Sequence, residues 1–326
     1  MILAGDIGGT KTVLALMEKA EYGLRCIDEQ TFASGEFDCF DDILKLFLPK
    51  NTPITSACFG IAGPVVNQCC FATNLSWTVV GEQLKVQLGT ERVKLLNDLE
   101  AMAIGMLHLA DDDFIELNHQ AKTHHGNIAV IAAGTGLGEA LLYWDGHRHH
   151  PIATEGGHCS FAPQTPMQDQ LLHYLRLKYP HHVSYERILS GVGFSNLYDF
   201  LLESQIAPPC PAVPSANEAM DMGLDRNALI SRLGIDGDDA LCAEVIKLFV
   251  EIYAQEAGNL ALKTFATGGI FIGGGIGPKI RSALTTEAFM QAFSAKGRFE
   301  GLLNTLSVKL ALNPKTPLIG AMHYYS

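Results

Sequence analysis

The chain opens with Ile2-Leu3-Ala4-Gly5-Asp6-Ile7-Gly8-Gly9-Thr10-Lys11-Thr12-Val13-Leu14-Ala15-Leu16. Two apolar runs separated by adjacent glycines predict two strands joined by a tight turn. Because glycine has no Cβ and readily adopts positive φ, we expect Gly8 and Gly9 to present the backbone N–H groups of the turn outward. Exposed N–H groups of this kind suit a phosphate. Asp6 precedes the turn, where it can meet a cation or a water bound to that phosphate.

Two other interpretations of this segment make different predictions. A Walker A loop requires glycine directly before Lys-Ser/Thr and a helix after it. Here Thr10 precedes Lys11 and a strand-like run follows, so the segment is not a Walker A loop. An ordinary hairpin turn with solvated Asp6 and Lys11 remains open on this segment alone.

Length and composition restrict the class of protein. A chain of 326 residues predicts two domains. The net charge of −12 disfavours nucleic acid as the main partner, because phosphate backbones are bound by basic surfaces. No apolar run is long enough for a membrane span, and no signal peptide is visible. The eight cysteines contain no CxxC pair, which favours free thiols over a zinc site or a disulfide scaffold. We therefore expect a cytoplasmic protein that binds neither nucleic acid nor membrane.

A second glycine-rich turn repeats the pattern of the first. The apolar run Ile128–Ala133 is followed by Gly134-Thr135-Gly136-Leu137-Gly138 and by the apolar run Ala140–Tyr143. The order strand, Gly-Thr turn, strand therefore occurs twice and predicts two related halves. A pair of such turns can grip a polyphosphate from two sides, which favours phosphate binding over two unrelated hairpins.

The residues Asn97-Asp98 stand where a buried strand meets a helix. Val93-Lys94-Leu95-Leu96 is mostly apolar, and residues 99–109 have apolar residues at helical spacing. Ligands of open α/β sheets bind at the carboxyl ends of strands, and a helix N-terminus favours an anionic side chain. A simple N-cap role for Asp98 is the alternative.

Three further segments carry polar or glycine-rich patterns. In Thr154-Glu155-Gly156-Gly157-His158 the glycines allow a sharp bend, so Glu155 and His158 can converge on a hydroxyl-bearing ligand or bond to each other. Glu186 lies near a predicted helix start, where a lone Glu ordinarily compensates the helix dipole. Bare backbone at Gly273-Gly274-Gly275 lets a flat ring or ribose approach closely. This last segment is not GxGxxG, which disfavours a Rossmann dinucleotide site.

The remaining patterns predict the other main elements. Residues 23–27 and 31–33 predict short strands, and residues 71–77 an irregular segment anchored by Trp77. Helices are predicted at residues 40–48, 81–88, 167–179, 239–265 and 317–325, the last packing on the N-terminal half.

Five motifs in this order resemble one family over essentially the full length. They are Gly5–Thr12, Leu96–Asp98, Gly134–Gly138, Glu155–His158 and Gly273–Ile276. The chain resembles the bacterial-type ATP-dependent glucokinases of the actin-like/hexokinase-like ATPase superfamily. The resemblance implies an α/β, two-domain actin-like/hexokinase-like (ribonuclease H-like) ATPase fold with a duplicated core and an interdomain cleft. Residues 1–108 plus 307–326 would form the small domain, and residues 109–306 the large one.

The resemblance also implies an activity and a homodimer. The activity is phosphorylation of glucose at its 6-hydroxyl by ATP, by direct in-line transfer, to give glucose 6-phosphate and ADP. The general base would be Asp98, and Mg²⁺ would bridge the ATP phosphates with Asp6 reaching it through water, so that no residue is a direct metal ligand. The other implied contacts are glucose with Asn97, Glu155, His158 and Glu186; the β- and γ-phosphates with Gly8, Gly9 and Thr10 on one side and Gly134 and Thr135 on the other; and adenosine with Gly273, Gly274 and Gly275.

One departure from a related group narrows the resemblance. Sugar kinases and repressors of the ROK family carry a zinc site of one His and three Cys near the sugar loop, whereas no CxCGxxGC cluster occurs here. This favours the zinc-free glucokinase branch. The alternatives are a kinase for mannose, fructose or an N-acetylhexosamine, and a non-catalytic sugar-sensing regulator of the same fold. An actin-like or chaperone-like ATPase without a sugar substrate is disfavoured by Glu155, His158 and Glu186.

Overall fold

The opening segment forms the predicted hairpin. The computed structural model describes residues 1–21, 23–72 and 75–325, so that Tyr22, Thr73, Asn74 and Ser326 lie outside the description. Strand β1 (Ile2–Ile7) pairs antiparallel with β2 (Lys11–Ala20). Nearly all of β1 is buried, which is why its sequence is almost continuously apolar.

The hairpin continues into a third strand that is longer than predicted. Strand β3 (Gly23–Ala33) is continuous, whereas the sequence predicts two short strands at residues 23–27 and 31–33. The polar residues Asp28-Glu29-Gln30 interrupt the apolar pattern, but they pair with β2 at the edge of the sheet, where side chains can reach water. The predicted irregular segment at residues 71–77 includes Thr73 and Asn74, which are outside the described residues.

The other elements follow in chain order. The strands are β4 (Ser56–Ile61), β5 (Val65–Val66), β6 (Cys69–Phe71), β7 (Thr78–Val80), β8 (Val93–Asn97), β9 (Phe114–Glu116), β10 (Ile128–Ala133), β11 (Leu137–Trp144), β12 (His149–Ala153), β13 (Gly269–Gly273) and β14 (Val308–Ala311). The helices are α1 (Phe40–Phe47), α2 (Gly81–Leu88), α3 (Asp98–Met106), α4 (Pro166–Lys178), α5 (Gly191–Glu203), α6 (Ala216–Asp221), α7 (Arg226–Asp236), α8 (Ala240–Thr264), α9 (Arg281–Leu284), α10 (Glu287–Ser294), α11 (Glu300–Leu303) and α12 (Thr316–His323).

The chain divides into two compact units. The first unit contains Met1–Asp113, Pro151–Ala153 and Asn313–Ser326, and the second contains Phe114–His150 and Thr154–Leu312. Strand β14 therefore belongs to the second unit, although it follows residue 307 in sequence. Whether each unit is a domain with the boundaries expected from the sequence stays a prediction.

The two units contain related sheets, as the repeated turn predicts. The order is β3-β2-β1-β4-β8 in the first and β12-β11-β10-β13-β14-β9 in the second. In each sheet the first hairpin is antiparallel. In the first sheet β1 pairs parallel with β4, and β4 with β8. In the second sheet β10 pairs parallel with β13, and β13 with β14. A smaller antiparallel sheet, β5-β6-β7, completes the first unit.

Strand register brings the polar motifs of each sheet to one edge. In the first sheet Ile7 pairs with Ile61, and Ile61 pairs with Asn97. In the second sheet Ala132 pairs with Gly273. Because these strands are parallel, their carboxyl ends lie together, and the loops that follow them emerge at the same edge.

Both faces of the first sheet are covered by helices. Leu3 and Ile7 of β1 pack in the cluster formed with α1 and α2. The alternate residues Ile2 and Ala4 pack in the cluster formed with α3 and α12. This alternation follows from the two-residue period of a strand.

Helix α8 is the centre of the second unit, close to the range predicted for it. Its first turn is capped by Asp239, whose Oδ1 accepts from the N–H of Cys242 at 2.9 Å. Sixteen of its 25 residues are buried, so that it is apolar around most of its circumference. No helix in the described part of the chain has the length and hydropathy required to cross a membrane.

The last helix packs on the N-terminal half, as predicted. Helices α3 and α12 approach so closely that a Cβ added at Gly105 would lie 1.9 Å from the carbonyl oxygen of Thr316. Similarly, a Cβ at Gly320 would lie 1.8 Å from the carbonyl oxygen of Ala101. Glycine is therefore required where the two backbones meet.

We expect Gly105→Ala to lower the free energy of unfolding by about 3 kcal/mol, because the added methyl group forces α3 and α12 apart. Urea unfolding measures the change. The matched control is Gly301→Ala in α11, where a Cβ meets nothing within 4 Å, and where alanine stabilises a helix by up to about 1 kcal/mol. Equal stabilities of the two variants would contradict the proposed close approach.

Candidate active site

The glycine-rich turn of the first unit is closed by its own backbone. The N–H of Gly8 donates to the carbonyl oxygen of Lys11 at 2.9 Å. Neither Gly8 nor Gly9 has a positive φ, so this three-residue loop closes without the left-handed conformation that glycine allows. Because the Gly8 N–H is used inside the turn, the N–H groups of Gly9 and Thr10 are the ones that have no hydrogen-bond partner among the described residues.

A buried serine that sequence reasoning missed holds this turn. The Oγ of Ser34 donates to the carbonyl oxygen of Gly8 at 2.8 Å, and its N–H donates to that of Thr10 at 3.1 Å. The hydroxyl of Thr12 lies 3.0 Å from the same Oγ. The feature that positions Ser34 is the pairing of Lys11 with Ala33, which places the residue after β3 beside the turn. It was invisible while β3 was expected as two separate strands.

Asp6 lies at the end of β1, just before the turn. Its side chain is half-buried, and burial raises its pKa to about 6, with the charge of Lys11 opposing the rise. A carboxylate in this position offers oxygen ligands of the kind that Mg²⁺ binds directly or through water.

Asn97, and not Asp98, is the N-cap of α3. Its Oδ1 accepts from the N–H of Leu99 at 2.8 Å, while Glu100 completes a capping box by accepting from the N–H of Asn97. The Nδ2 of Asn97 donates to the carbonyl oxygen of Gly63 at 3.3 Å. The alternative in which Asp98 is only an N-cap is therefore wrong. Asp98 is the first residue of the helix, half-buried, and its Oδ1 accepts from the N–H of Leu99 at 3.0 Å.

The second unit has its own glycine-rich turn after β10. The N–H of Gly134 donates to the carbonyl oxygen of Gly136 at 2.8 Å, and the carbonyl oxygen of Gly134 accepts from Gly191 at 2.8 Å. The carboxylate of Glu186 reaches this turn, because its Oε2 accepts from the N–H of Leu137 at 3.0 Å. Thr135, between the two glycines, is exposed. Glu186 is thus tied to the turn expected to bind phosphate.

His158 converges with Glu186 rather than with Glu155. The Nδ1 of His158 lies 3.9 Å from the Oε1 of Glu186. Glu155 contacts His158 only through the backbone, where its carbonyl oxygen accepts from the His158 N–H at 3.0 Å, and its side chain is exposed. The glycines between them form a 3₁₀ turn, Gly156–His158, as the expected sharp bend requires.

The glycine segment after β13 lies against the end of β10. The N–H of Ile276 donates to the carbonyl oxygen of Ala133 at 3.1 Å. Gly274 has φ of +83°, and an added Cβ would lie 2.2 Å from the same oxygen. Gly273 is buried and Gly275 is exposed. The segment Gly273–Gly275 is therefore adjacent to the turn that begins at Gly134.

One group of side chains in the described residues has a geometry that can hold a metal ion, and cysteine spacing did not predict it. The ligand atoms of Cys210, Asp239 and Cys242 lie within 4.8 Å of one another. Burial raises the pKa of Asp239, but hydrogen bonds from the Cys242 N–H and from both thiols outweigh burial and lower it overall. The carboxylate thus already has donors, including the N–H that it caps.

The fold and these turns define a class of protein. Two related sheets, each with a glycine-rich turn after its leading strand, are the core of an actin-like ATPase. The glucokinase family model matches residues 3–326, and the chain belongs to the glucokinase family. It is accordingly an enzyme of that family.

Individual comparisons agree with this membership. The chain is 38% identical to the glucokinase of Synechocystis sp. over 340 residues, which cover 98% of this chain and 96% of that protein. It resembles the crystal structure of a glucokinase from an Antarctic psychrotroph with a TM-score of 0.84 and 30% identity, covering 98% of this chain and 97% of the other. A ROK family glucokinase from Streptomyces griseus, solved in complex with glucose and AMPPNP, shares the fold at a TM-score of 0.65 and 17% identity, with 99% and 98% coverage.

We expect Asp6→Asn to change stability in a pH-dependent way. Because the folded-state pKa of about 6 exceeds the ordinary value of 3.8, wild-type protein loses stability as pH rises through this range. Asparagine removes that loss, so the variant should exceed wild type in free energy of unfolding by about 2 kcal/mol near about pH 8, and by much less near about pH 4. Urea unfolding at both pH values measures the two differences. Equal differences would contradict the raised pKa.

Proposed function

We propose that this enzyme transfers the γ-phosphoryl group of ATP directly, in line, to the 6-hydroxyl of glucose, with Asp98 as general base and glucose 6-phosphate and ADP as products. Membership in the glucokinase family supports the overall reaction. The observation that carries the mechanism is the position of Asp98, a half-buried carboxylate at the junction of β8 and α3. Its neighbour Asn97 is the N-cap of α3, and Asp98 follows it as the first residue of the helix.

Phosphoryl transfer requires the protein mainly to position the two substrates and to stabilise charge. Phosphoryl transfer to an alcohol is promoted by alignment of the two substrates and by stabilisation of charge on the transferred group. A carboxylate that accepts the proton of the hydroxyl group completes the step. The capping box fixes the first turn of α3 and hence the backbone from which the Asp98 side chain extends.

Backbone groups are proposed to bind the ATP phosphates. In the first unit Gly8 closes the turn while the N–H groups of Gly9 and Thr10 serve as donors. In the second unit Gly134 and Thr135 occupy the equivalent turn after β10. Gly273, Gly274 and Gly275, beside that turn, would flank the adenosine.

The carboxyl group of Asp6 fits a role toward Mg²⁺. It provides oxygen ligands beside the first turn, and with a pKa of about 6 it is mostly ionised at neutral pH. We propose that Asp6 holds the ion through water. Bound Mg²⁺ neutralises part of the phosphate charge.

Sugar recognition is assigned to four side chains. His158 and Glu186 converge in the second unit, and Glu186 uses only its Oε2 on the N–H of Leu137. Its Oε1 therefore remains to accept a sugar hydroxyl, with the imidazole of His158 as donor or acceptor. Glu155 and Asn97 are proposed as the remaining ligands, and the glucose in the Streptomyces griseus structure supports this type of substrate.

The choice of sugar is tested by steady-state kinetics with ATP and Mg²⁺. We expect kcat/KM for glucose to exceed those for mannose, fructose and N-acetylglucosamine by at least about tenfold, because a site built on hydrogen bonds rejects a misplaced hydroxyl. ADP and polyphosphate are tested as donors in parallel. A clear preference for another sugar would contradict the assignment to glucose. Glucose binding without turnover would instead indicate a sugar-sensing regulator.

The general base is tested by Asp98→Asn, which keeps the shape of the side chain and removes its basicity. We expect kcat to fall by about 10³-fold while the dissociation constant of glucose, measured by calorimetry, changes less than about threefold. Asp41→Asn is the matched control, since Asp41 is also an acidic residue in the first turn of a helix, α1. It should retain wild-type kcat. Turnover by Asp98→Asn at the wild-type rate would remove Asp98 as the base.

A further inference from the structure

A buried glutamate lies behind the segment that carries His158. Glu139, in β11, has a residue exposure of only 2%. Its Oε1 has no hydrogen-bond partner among the residues that the structure describes. A buried carboxyl oxygen without a hydrogen-bond partner is costly and calls for a role beyond packing.

Glu139 contacts the turn before His158 with both its side chain and its backbone. An added Cβ at Gly156 would lie 2.0 Å from the Oε2 of Glu139, so the carboxyl group occupies the space where a side chain of the turn would otherwise be. The hydroxyl of Thr154 donates to the carbonyl oxygen of Glu139 at 2.8 Å and accepts from the N–H of Gly156 at 3.1 Å. Glu139 therefore packs against the turn through its carboxyl group and is hydrogen-bonded to Thr154 through its carbonyl oxygen.

A buried polar network on α8 interacts electrostatically with Glu139 and extends to the residue before Glu186. Glu256 is fully buried and accepts from Lys263 at 2.9 Å and from Asn259 at 2.8 Å. The Nδ2 of Asn259 also donates to the hydroxyl of Tyr185 at 3.1 Å. Tyr185 directly precedes Glu186, so that one network lies behind both segments expected to bind sugar.

We propose that Glu139 is a positioning residue for glucose: its buried carboxyl group packs against Gly156 and fixes the Gly156–His158 turn beside the polar network of α8. The proposal rests on the assignment of His158 and Glu186 to glucose. It adds a group that contacts no substrate and acts through the geometry of the turn.

The surroundings of Glu139 make its protonation state responsive near neutral pH. Burial and the negative charge of Glu256 together raise its pKa to about 7, with the positive charge of Lys263 opposing the rise. The titratable groups that interact electrostatically with Glu139 are Glu256, Lys263 and Tyr253 of α8, and the turn packed against β11 carries His158. Ionisation of Glu139 places two carboxylates close together behind the turn, which weakens the support.

The experiment measures KM for glucose and kcat from about pH 6 to about pH 8.5, with calorimetric glucose binding in parallel. For wild type we expect KM for glucose to rise by about threefold or more across this range. Glu139→Gln mimics the neutral group and should keep the low KM of wild type at the acid end while removing Glu139's part of the rise. Glu139→Ala should raise KM by about tenfold at all pH values and leave kcat at saturating glucose within about threefold.

Controls separate positioning from stability. Glu116→Gln is matched, because Glu116 also bonds within the second unit, where its carboxylate accepts from the N–H of Val308 and from Ser307. It should leave KM for glucose and its pH dependence unchanged. If Glu139→Ala does not fold, Thr154→Val removes the hydroxyl that links Glu139 to Gly156 and should raise KM by about threefold.

Three outcomes would overturn the proposal. The first is a KM for glucose in Glu139→Ala, or in Thr154→Val if that variant replaces it, that equals the KM of wild type. The second is a rise of KM with pH in Glu139→Gln that is as large as in wild type. The third is an effect of Glu116→Gln on KM that equals the effect of the Glu139 variants. Glucose binding by wild type without turnover would contradict only the catalytic role of Asp98, since the effect of Glu139 would still be read from binding. Absence of glucose binding by wild type would overturn both proposals.

Discussion

The hydrogen-bonded register of parallel strands is the constraint on which the rest of this structure depends. Pairing of Ile7 with Ile61 and of Ile61 with Asn97 brings three strand ends to one edge of the first sheet. The second sheet repeats the arrangement where Ala132 pairs with Gly273. A shift of one residue in either sheet would turn the side chains of the shifted strand to the opposite face and move the following loops away from each other. The glycine-rich turns are therefore positioned by the cores beneath them, and the core residues contribute to function through register alone.

Strong local patterns predicted much of this molecule from the sequence. The hairpin at the start, α2 at residues 81–88 and the long α8 follow from apolar periodicity, which the folded chain buries as expected. Asp6 and Asp98 stand out in the sequence as polar groups at strand ends, whereas Glu186 was singled out only by the family resemblance. The convergence of Glu155 and His158 on one ligand stays a prediction, whereas the contact of His158 with Glu186 could not be predicted, because Glu186 lies far away in sequence.

The residues that sequence reasoning missed act through tertiary contacts. Ser34 reaches Gly8 only because β3 continues through a polar stretch, and this continuity was not predicted from the sequence. Glu139 had a visible signal, a charged residue within an apolar strand, but its meaning depends on Glu256 and Gly156, which come from other elements. Burial raises the pKa of both Asp6 and Glu139, and neither change is readable from composition or spacing. Local pattern thus indicates where chemistry is placed, while the electrostatics of the site arise from packing.

The contact between α3 and α12 has a consequence for the order in which the protein matures. Helix α3 carries Asp98 at its start, and its backbone meets that of α12 at Gly105 and Gly320. During synthesis α12 leaves the ribosome only after the whole second unit has been made. The second unit can therefore begin folding while the chain is still growing, whereas the first must wait for α12 to complete one face of its sheet. Until then the helix that begins with Asp98 lacks its packing partner at Gly105.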